Sequence, residues 1–296
     1  MNEKQLPQIG FGTWLLTDFP TLEKAIETAL HTGYRHIDTA QVYNNEYDIG
    51  EILAKQSISR DELFLTTKVA PQNYLNFTRQ SVEESLTRLQ TDYLDLVLLH
   101  AELSPELNLT AYQELINLQK EGKIKHIGVS NFSIAGIEHL VQKTGVKPYC
   151  NQIVCSPTTR PIELEDYCLD HDILLVGYSI IKPYFSPNPF YPESALSTEE
   201  KAKLDEMCAK YDINIGQLLN YWAVSHNYHI IPKSSNPARV EENFALDFSI
   251  DREDLETIDQ MNRFTAKEYQ EQVASWEDRI TPEALETGLL YKKHFK

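Results

Sequence analysis

The chain has 296 residues, 42% of them hydrophobic and 24% charged, enough to bury a large core without disulfide or metal staples. Its net charge of −17, from 27 Lys and Arg against 44 Asp and Glu, repels phosphate backbones and anionic lipid surfaces. A general nucleic-acid or membrane-surface binder is thereby excluded, and any anionic ligand must find a local basic pocket.

In chain order, short β-branched or apolar runs alternate with longer segments of helical period, up to about residue 235. The predicted strands are Gln8 to Thr13, Tyr34 to Asp38, Leu63 to Val69, Tyr93 to His100, Lys125 to Ser130, Pro148 to Val154, Ile173 to Ser179 and Tyr228 to Lys233. Between them lie amphipathic stretches such as Thr21 to His31, Arg79 to Leu89, Ala111 to Glu121 and Ile134 to Lys143. Gly33, Gly122 and Gly145 fall where C-terminal helix caps belong. No linker or composition break divides the eight units. The order therefore predicts an α/β fold, a single-domain TIM (β/α)8 barrel over 1–296. Lys182 to Ser197 reads as a long loop after the seventh strand, and Phe244 to Ile250 as a connection before a helix from Arg252 to Asn262. The tail 264–296 has weak periodicity and is expected to pack across a barrel face.

Several chemistries lack their motifs. Gly10-Phe11-Gly12 has Leu15 where the third glycine of a dinucleotide fingerprint belongs, and Gly128-Val129-Ser130-Asn131-Phe132 lacks the last glycine of a nucleophile elbow. Cys150, Cys155, Cys168 and Cys208 form no CxxC pair, and the nine histidines have no metalloprotease spacing, so no metal is predicted. No stretch has the apolar length of a signal peptide core or a membrane span, which predicts a soluble, cytoplasmic protein.

In such a barrel, chemistry sits at the C-terminal ends of strands. Three apolar runs end in polar side chains: Asp38, Lys68 and His100. Singly, Asp38 also suits a helix cap, Lys68 a snorkelling side chain and His100 a core-edge histidine. Together on three successive strands they bring a carboxylate, an ammonium and an imidazole to one mouth. Tyr43, five residues beyond Asp38, adds a phenol from the following loop.

The segments Gly10 to Trp14, Tyr34 to Ala40, Val42 to Glu46, Thr67-Lys68, Asp95 to His100, Ile127 to Phe132, Asn151-Gln152 and Ile231 to Ser235 resemble, in order, those of the aldo-keto reductases. The most similar branch is that of the prokaryotic 2,5-diketogluconate reductases. The resemblance implies an enzyme that reduces aldehydes or ketones with NADPH, NADH being the less suited cofactor. It implies Tyr43 as proton donor, Lys68 as the cation that makes the phenol more acidic, Asp38 as the partner of Lys68, and His100 as the group that aligns the carbonyl. It further implies that Ser130, Asn131 and Gln152 hold the nicotinamide carboxamide and that Tyr178, with Ser179 beside it, stacks on the ring. Lys233, Ser234, Ser235, Asn236, Arg239, Glu242 and Asn243 match the segment that binds the adenosine 2′-phosphate and adenine. Helix capping and solvated surface charge are the other readings of these polar residues.

Trp14, Val42, Ala70 and Ala101 occupy the positions implied for the substrate wall. Relatives often carry aromatic residues where this chain has Ala70 and Ala101, which predicts a wider pocket. The usual proline-leucine-glycine after Tyr178-Ser179 is replaced by Ile180-Ile181-Lys182-Pro183. The expected partner is a small carbonyl substrate, with no nucleic acid or membrane, and the expected state is a monomer or weak homo-oligomer. Two alternatives stay open: a barrel of the same fold that binds the cofactor as a sensor or interaction subunit, and an unrelated barrel acting on sugar phosphates.

Overall fold

The structure, a computed structural model, describes residues 5–187 and 192–289. Parts of the predicted seventh-strand loop and of the C-terminal tail, residues 188–191 and 290–296, lie outside the described residues.

Eight strands form one sheet: β1 (Phe11–Gly12), β2 (His36–Asp38), β3 (Phe64–Val69), β4 (Leu94–Leu99), β5 (Ile124–Ser130), β6 (Cys150–Val154), β7 (Leu174–Tyr178) and β8 (Tyr228–Ile230). Each pairs in parallel with the next. The first strand returns to the last through Gly10 N to Ile230 O at 2.8 Å, Ile230 N to Gln8 O at 2.8 Å and Gly12 N to Pro232 O at 3.1 Å, which close the barrel. This closure needs a bare backbone. A Cβ on Gly12 would lie 2.7 Å from Ile231 O, and one on Gly10 would overlap the His36 ring.

The predicted helices form as Phe19–Thr32, Thr78–Arg88, Pro105–Lys120 and Ile134–Thr144, the third beginning more than a turn before the predicted Ala111. Gly33, Gly122 and Gly145 have φ of 121°, 80° and 70°. Residues 245–250 are a connection without a strand, leading to a helix at Arg252–Asp259. After β7 the described residues include a short helix at Lys182–Phe185 and a turn at Pro192–Ser194. In the tail, helices Ala266–Ala274 and Pro282–Thr287 pack near the loops after β3 and β5. Tyr269 Oη donates to Phe132 O at 3.0 Å, and Leu289 N donates to Asn73 Oδ1 at 2.8 Å. Among the described residues no helix is long and apolar enough to cross a membrane.

Side chains alternate along each strand, and this parity places the site. Leu65, Val69, Val97 and Leu99 pack in the larger core, which also takes in the helices, while Phe64, Leu96, Leu98, Cys150 and Val176 form a separate smaller cluster. Asp38, Lys68, His100, Ser130, Gln152 and Tyr178 share the second parity, each two or four residues beyond an inward side chain such as His36, Phe64, Leu98, Cys150 or Val176. The rule that packs the barrel interior thus delivers these polar groups to its upper end.

Candidate active site

Lys68 is fully buried, and its Nζ donates to Asp38 Oδ1 at 2.5 Å and to Thr39 O at 2.9 Å. Burial pushes its pKa down and the Asp38 carboxylate counters that shift. The other Asp38 oxygen accepts from Gln152 Nε2 at 2.9 Å. Lys68 Nζ stands 5.0 Å from the centroid of the Tyr43 ring, which the turn Gln41–Tyr43 places over the mouth. Burial, reinforced by the Asp38 charge, holds the Tyr43 pKa well above its ordinary value, so the phenol carries its proton at neutral pH.

The His100 ring meets Tyr43 edge-on, with centroids 5.8 Å apart. Burial, helped by the Lys68 charge, pushes its pKa down to about 3, so the imidazole is neutral near pH 7. Its Nδ1 is buried with no hydrogen-bond partner among the described residues. The four groups named from the sequence therefore meet at one end of the barrel.

A second chain of contacts continues around the mouth. Tyr178 Oη donates to Asn131 Oδ1 at 2.7 Å, Asn131 Nδ2 donates to Ser130 Oγ at 3.1 Å and to His100 O at 3.2 Å, and Ser130 Oγ donates to Gln152 O at 2.9 Å. Gln152 Oε1 accepts no hydrogen bond among the described residues, which leaves an acceptor for an amide donor. Leu15, Asn44, Asn131 and Ser179, in the loops after β1, β2, β5 and β7, have positive φ between 56° and 64°. Such non-glycine conformations cost about 1–3 kcal/mol each; Gln90, Asp172, Asp212 and Asn227 share them outside these loops.

Residues 233–243 border a separate cleft beside β8, with a volume of about 250 Å³. Lys233, Ser234, Arg239, Glu242 and Asn243 line it, and Ser235 and Asn236 are exposed at its edge. Asn236 Oδ1 is used as the cap of helix Pro237–Phe244, accepting from Arg239 N at 3.4 Å. Glu242 accepts from Asn214 Nδ2 at 3.0 Å, and Asn243 accepts from Asn220 Nδ2 at 3.2 Å. Lys233 and Arg239 line the cleft and form no ion pair among the described residues.

The substrate wall departs from the sequence expectation. Trp14 and Val42 are 48% and 41% exposed at the rim, whereas Ala70 and Ala101 are fully buried. Ala70 N donates to Gln41 Oε1 at 2.9 Å, and Tyr74 Oη donates to Ala101 O at 2.9 Å, so side chains from the neighbouring loops cover both alanines. This burial weighs against the predicted widening. Ala70→Trp and Ala101→Trp are expected to overpack a buried position, costing about 1–3 kcal/mol or more, and to lower the melting temperature instead of filtering substrates by size. Unchanged melting with selective loss of bulky substrates would show that the alanines face the pocket.

The tail contributes a residue that sequence reasoning missed. Trp276 lies 6.2 Å from His100, ring centroid to centroid, and supplies an aromatic wall from a segment with almost no periodic signal. Only its residue type hinted at burial. Among the described residues no three metal-ligating side chains cluster.

Two catalytic-looking clusters at the C-terminal end of a closed eight-stranded barrel narrow the comparison with known proteins. A family model described as "Aldo/keto reductase family" matches residues 8–263. The chain belongs to the aldo/keto reductase family. It is 34% identical over 261 residues to methylglyoxal reductase DkgA of Salmonella typhimurium, spanning 87% of this chain and 90% of that protein. It is also 34% identical over 265 residues to glyoxal reductase of Bacillus subtilis, spanning 88% and 91%. An aldo/keto reductase structure from Brucella melitensis superposes with a TM-score of 0.78 at 33% identity, covering 87% of this chain and 96% of that one. A Bombyx mori aldo-keto reductase solved with NADP gives 0.78 at 29% identity, covering 88% and 90%. This aldo/keto reductase thus keeps the family's fold over all but its tail.

Proposed function

We propose that this aldo/keto reductase reduces small reactive aldehydes and ketones with NADPH, using Tyr43 as the proton donor. The observation that carries the reading is the meeting of a protonated phenol, a neutral imidazole and a buried ammonium-carboxylate pair at one mouth. The residues present fit the cofactor: Gln152 has an open carboxamide oxygen, Ser130 and Asn131 stand beside it, and Lys233 and Arg239 border the separate cleft. When bound, NADPH supplies a hydride to the carbonyl carbon.

The chain's own groups then manage the oxygen. His100 donates a hydrogen bond to the carbonyl and aligns it, because a neutral imidazole keeps one N–H to give. Tyr43 delivers the proton as negative charge develops on that oxygen. Lys68 stabilises the tyrosinate left behind, and Asp38 keeps Lys68 charged and aimed. Buried surroundings strengthen each of these charge effects. One chain supplies every group, in keeping with a monomer or weak homo-oligomer.

Loss of NADPH absorbance with methylglyoxal, glyoxal and a panel of small aldehydes tests the reading, since relatives are named for the first two substrates. Binding of NADPH without oxidation by any of them would instead support a cofactor-sensing protein. The cofactor preference has its own test. A charge-assisted hydrogen bond contributes about 1.5–3 kcal/mol, so Arg239→Ala is expected to weaken NADPH roughly ten- to hundredfold and NADH far less. Equal weakening of both would show that this cleft does not read the 2′-phosphate.

A further inference from the structure

Phe185 ends the short helix Lys182–Phe185, built by the stretch that replaces the family's proline-leucine-glycine, and it is 64% exposed. Leaving a phenylalanine in water forgoes burial energy that a ligand packed on the ring would recover. The side chain lines the β8 cleft together with Ile181, Gly216, Lys233, Arg239 and Asn243. We propose that Phe185 is the platform on which the adenine ring of the cofactor stacks, so that the cleft reads the base through an aromatic face and the ribose phosphate through its two cations. This rests on the NADPH reading above and names how the adenosine end is held.

The ring is positioned before any ligand arrives. Pro183 sits in the first turn of the helix, and Ser186 N donates to Lys182 O at 2.9 Å. Tyr184 meets Phe185 edge-on with centroids 5.1 Å apart, and Tyr184 Oη is itself tied to Asp205 Oδ1 at 2.6 Å. Across the cleft a Cβ on Gly216 would lie 2.9 Å from Asn243 Oδ1, so a side chain at that position would crowd the floor. An aromatic face beside unpaired cations matches a purine carrying phosphate, because every base offers a π-face and the cations attract the anion.

The test uses the full chain and calorimetric titration with NADPH and with adenosine 2′,5′-bisphosphate. Base stacking of this kind predicts that Phe185→Ala weakens both ligands by about fivefold to thirtyfold, with Phe185→Tyr close to the unaltered chain. Phe185 is exposed, so the melting temperature without ligand should not move. In Phe185→Trp the added indole should lose fluorescence on binding adenosine 2′,5′-bisphosphate, a signal absent from the unaltered chain. Unaltered affinity in Phe185→Ala, or an added indole blind to the nucleotide, would overturn the stacking while leaving the reductase reading intact. Failure of the unaltered chain to bind either nucleotide would overturn both.

Discussion

Tyr43→Phe is expected to cut carbonyl reduction by about 10²- to 10⁴-fold, the usual contribution of a positioned proton donor, while NADPH affinity stays nearly unchanged. The phenol suits this role because burial and the Asp38 carboxylate keep it protonated at neutral pH. Among the described residues its hydroxyl has no hydrogen-bond partner, so removing the oxygen breaks no internal contact of the protein. Stability should therefore be close to that of the unaltered enzyme. The loss should appear in kcat and kcat/KM together, since the proton moves only in the transition state. Unchanged turnover in a folded variant would remove Tyr43 from the mechanism.

Lys68→Met is expected to damage both turnover and stability. Its ammonium is fully buried against Asp38, whose remaining side-chain partner would be Gln152 Nε2. Breaking a buried pair by removing one member costs about 3–5 kcal/mol, because the other charge is left uncompensated. For a chain of this size that corresponds to a fall of roughly 10 °C in melting temperature. Reduction should fall on the scale of Tyr43→Phe. Without the nearby cation the tyrosinate is harder to form, so the phenol pKa rises and the alkaline limb of residual activity should move to higher pH. Kinetics and melting both matching the unaltered chain would refute the role.

The same burial revises what Asp38→Asn should do. The resemblance alone names Asp38 only as the partner of Lys68. In the fold, burial already pushes the Lys68 pKa down, and the Asp38 charge is the chief influence opposing it. Removing that carboxylate favours a neutral amine. The variant should therefore lose activity on the order of Lys68→Met, measurable by the same assays.

Local patterns determined much of this protein from its sequence alone. Apolar runs ending in Asp38, Lys68 and His100 stated both the strands and the polar rim, because alternation along a strand carries inward parity up to its last residue. Glycines at 33, 122 and 145 marked helix ends for an equally local reason, the left-handed backbone that lacks a Cβ penalty. Contacts between segments distant in the chain were decided only by the tertiary structure. Gln152 reaches Asp38 across 114 positions, and Trp276 arrives beside His100 from a tail with little periodicity. Ala70 and Ala101 disappear beneath Gln41 and Tyr74, and Phe185 meets the β8 cleft through a helix that no repeat announced. Burial and side-chain partnership depend on what the rest of the chain stacks over a position, and local periodicity does not encode that packing.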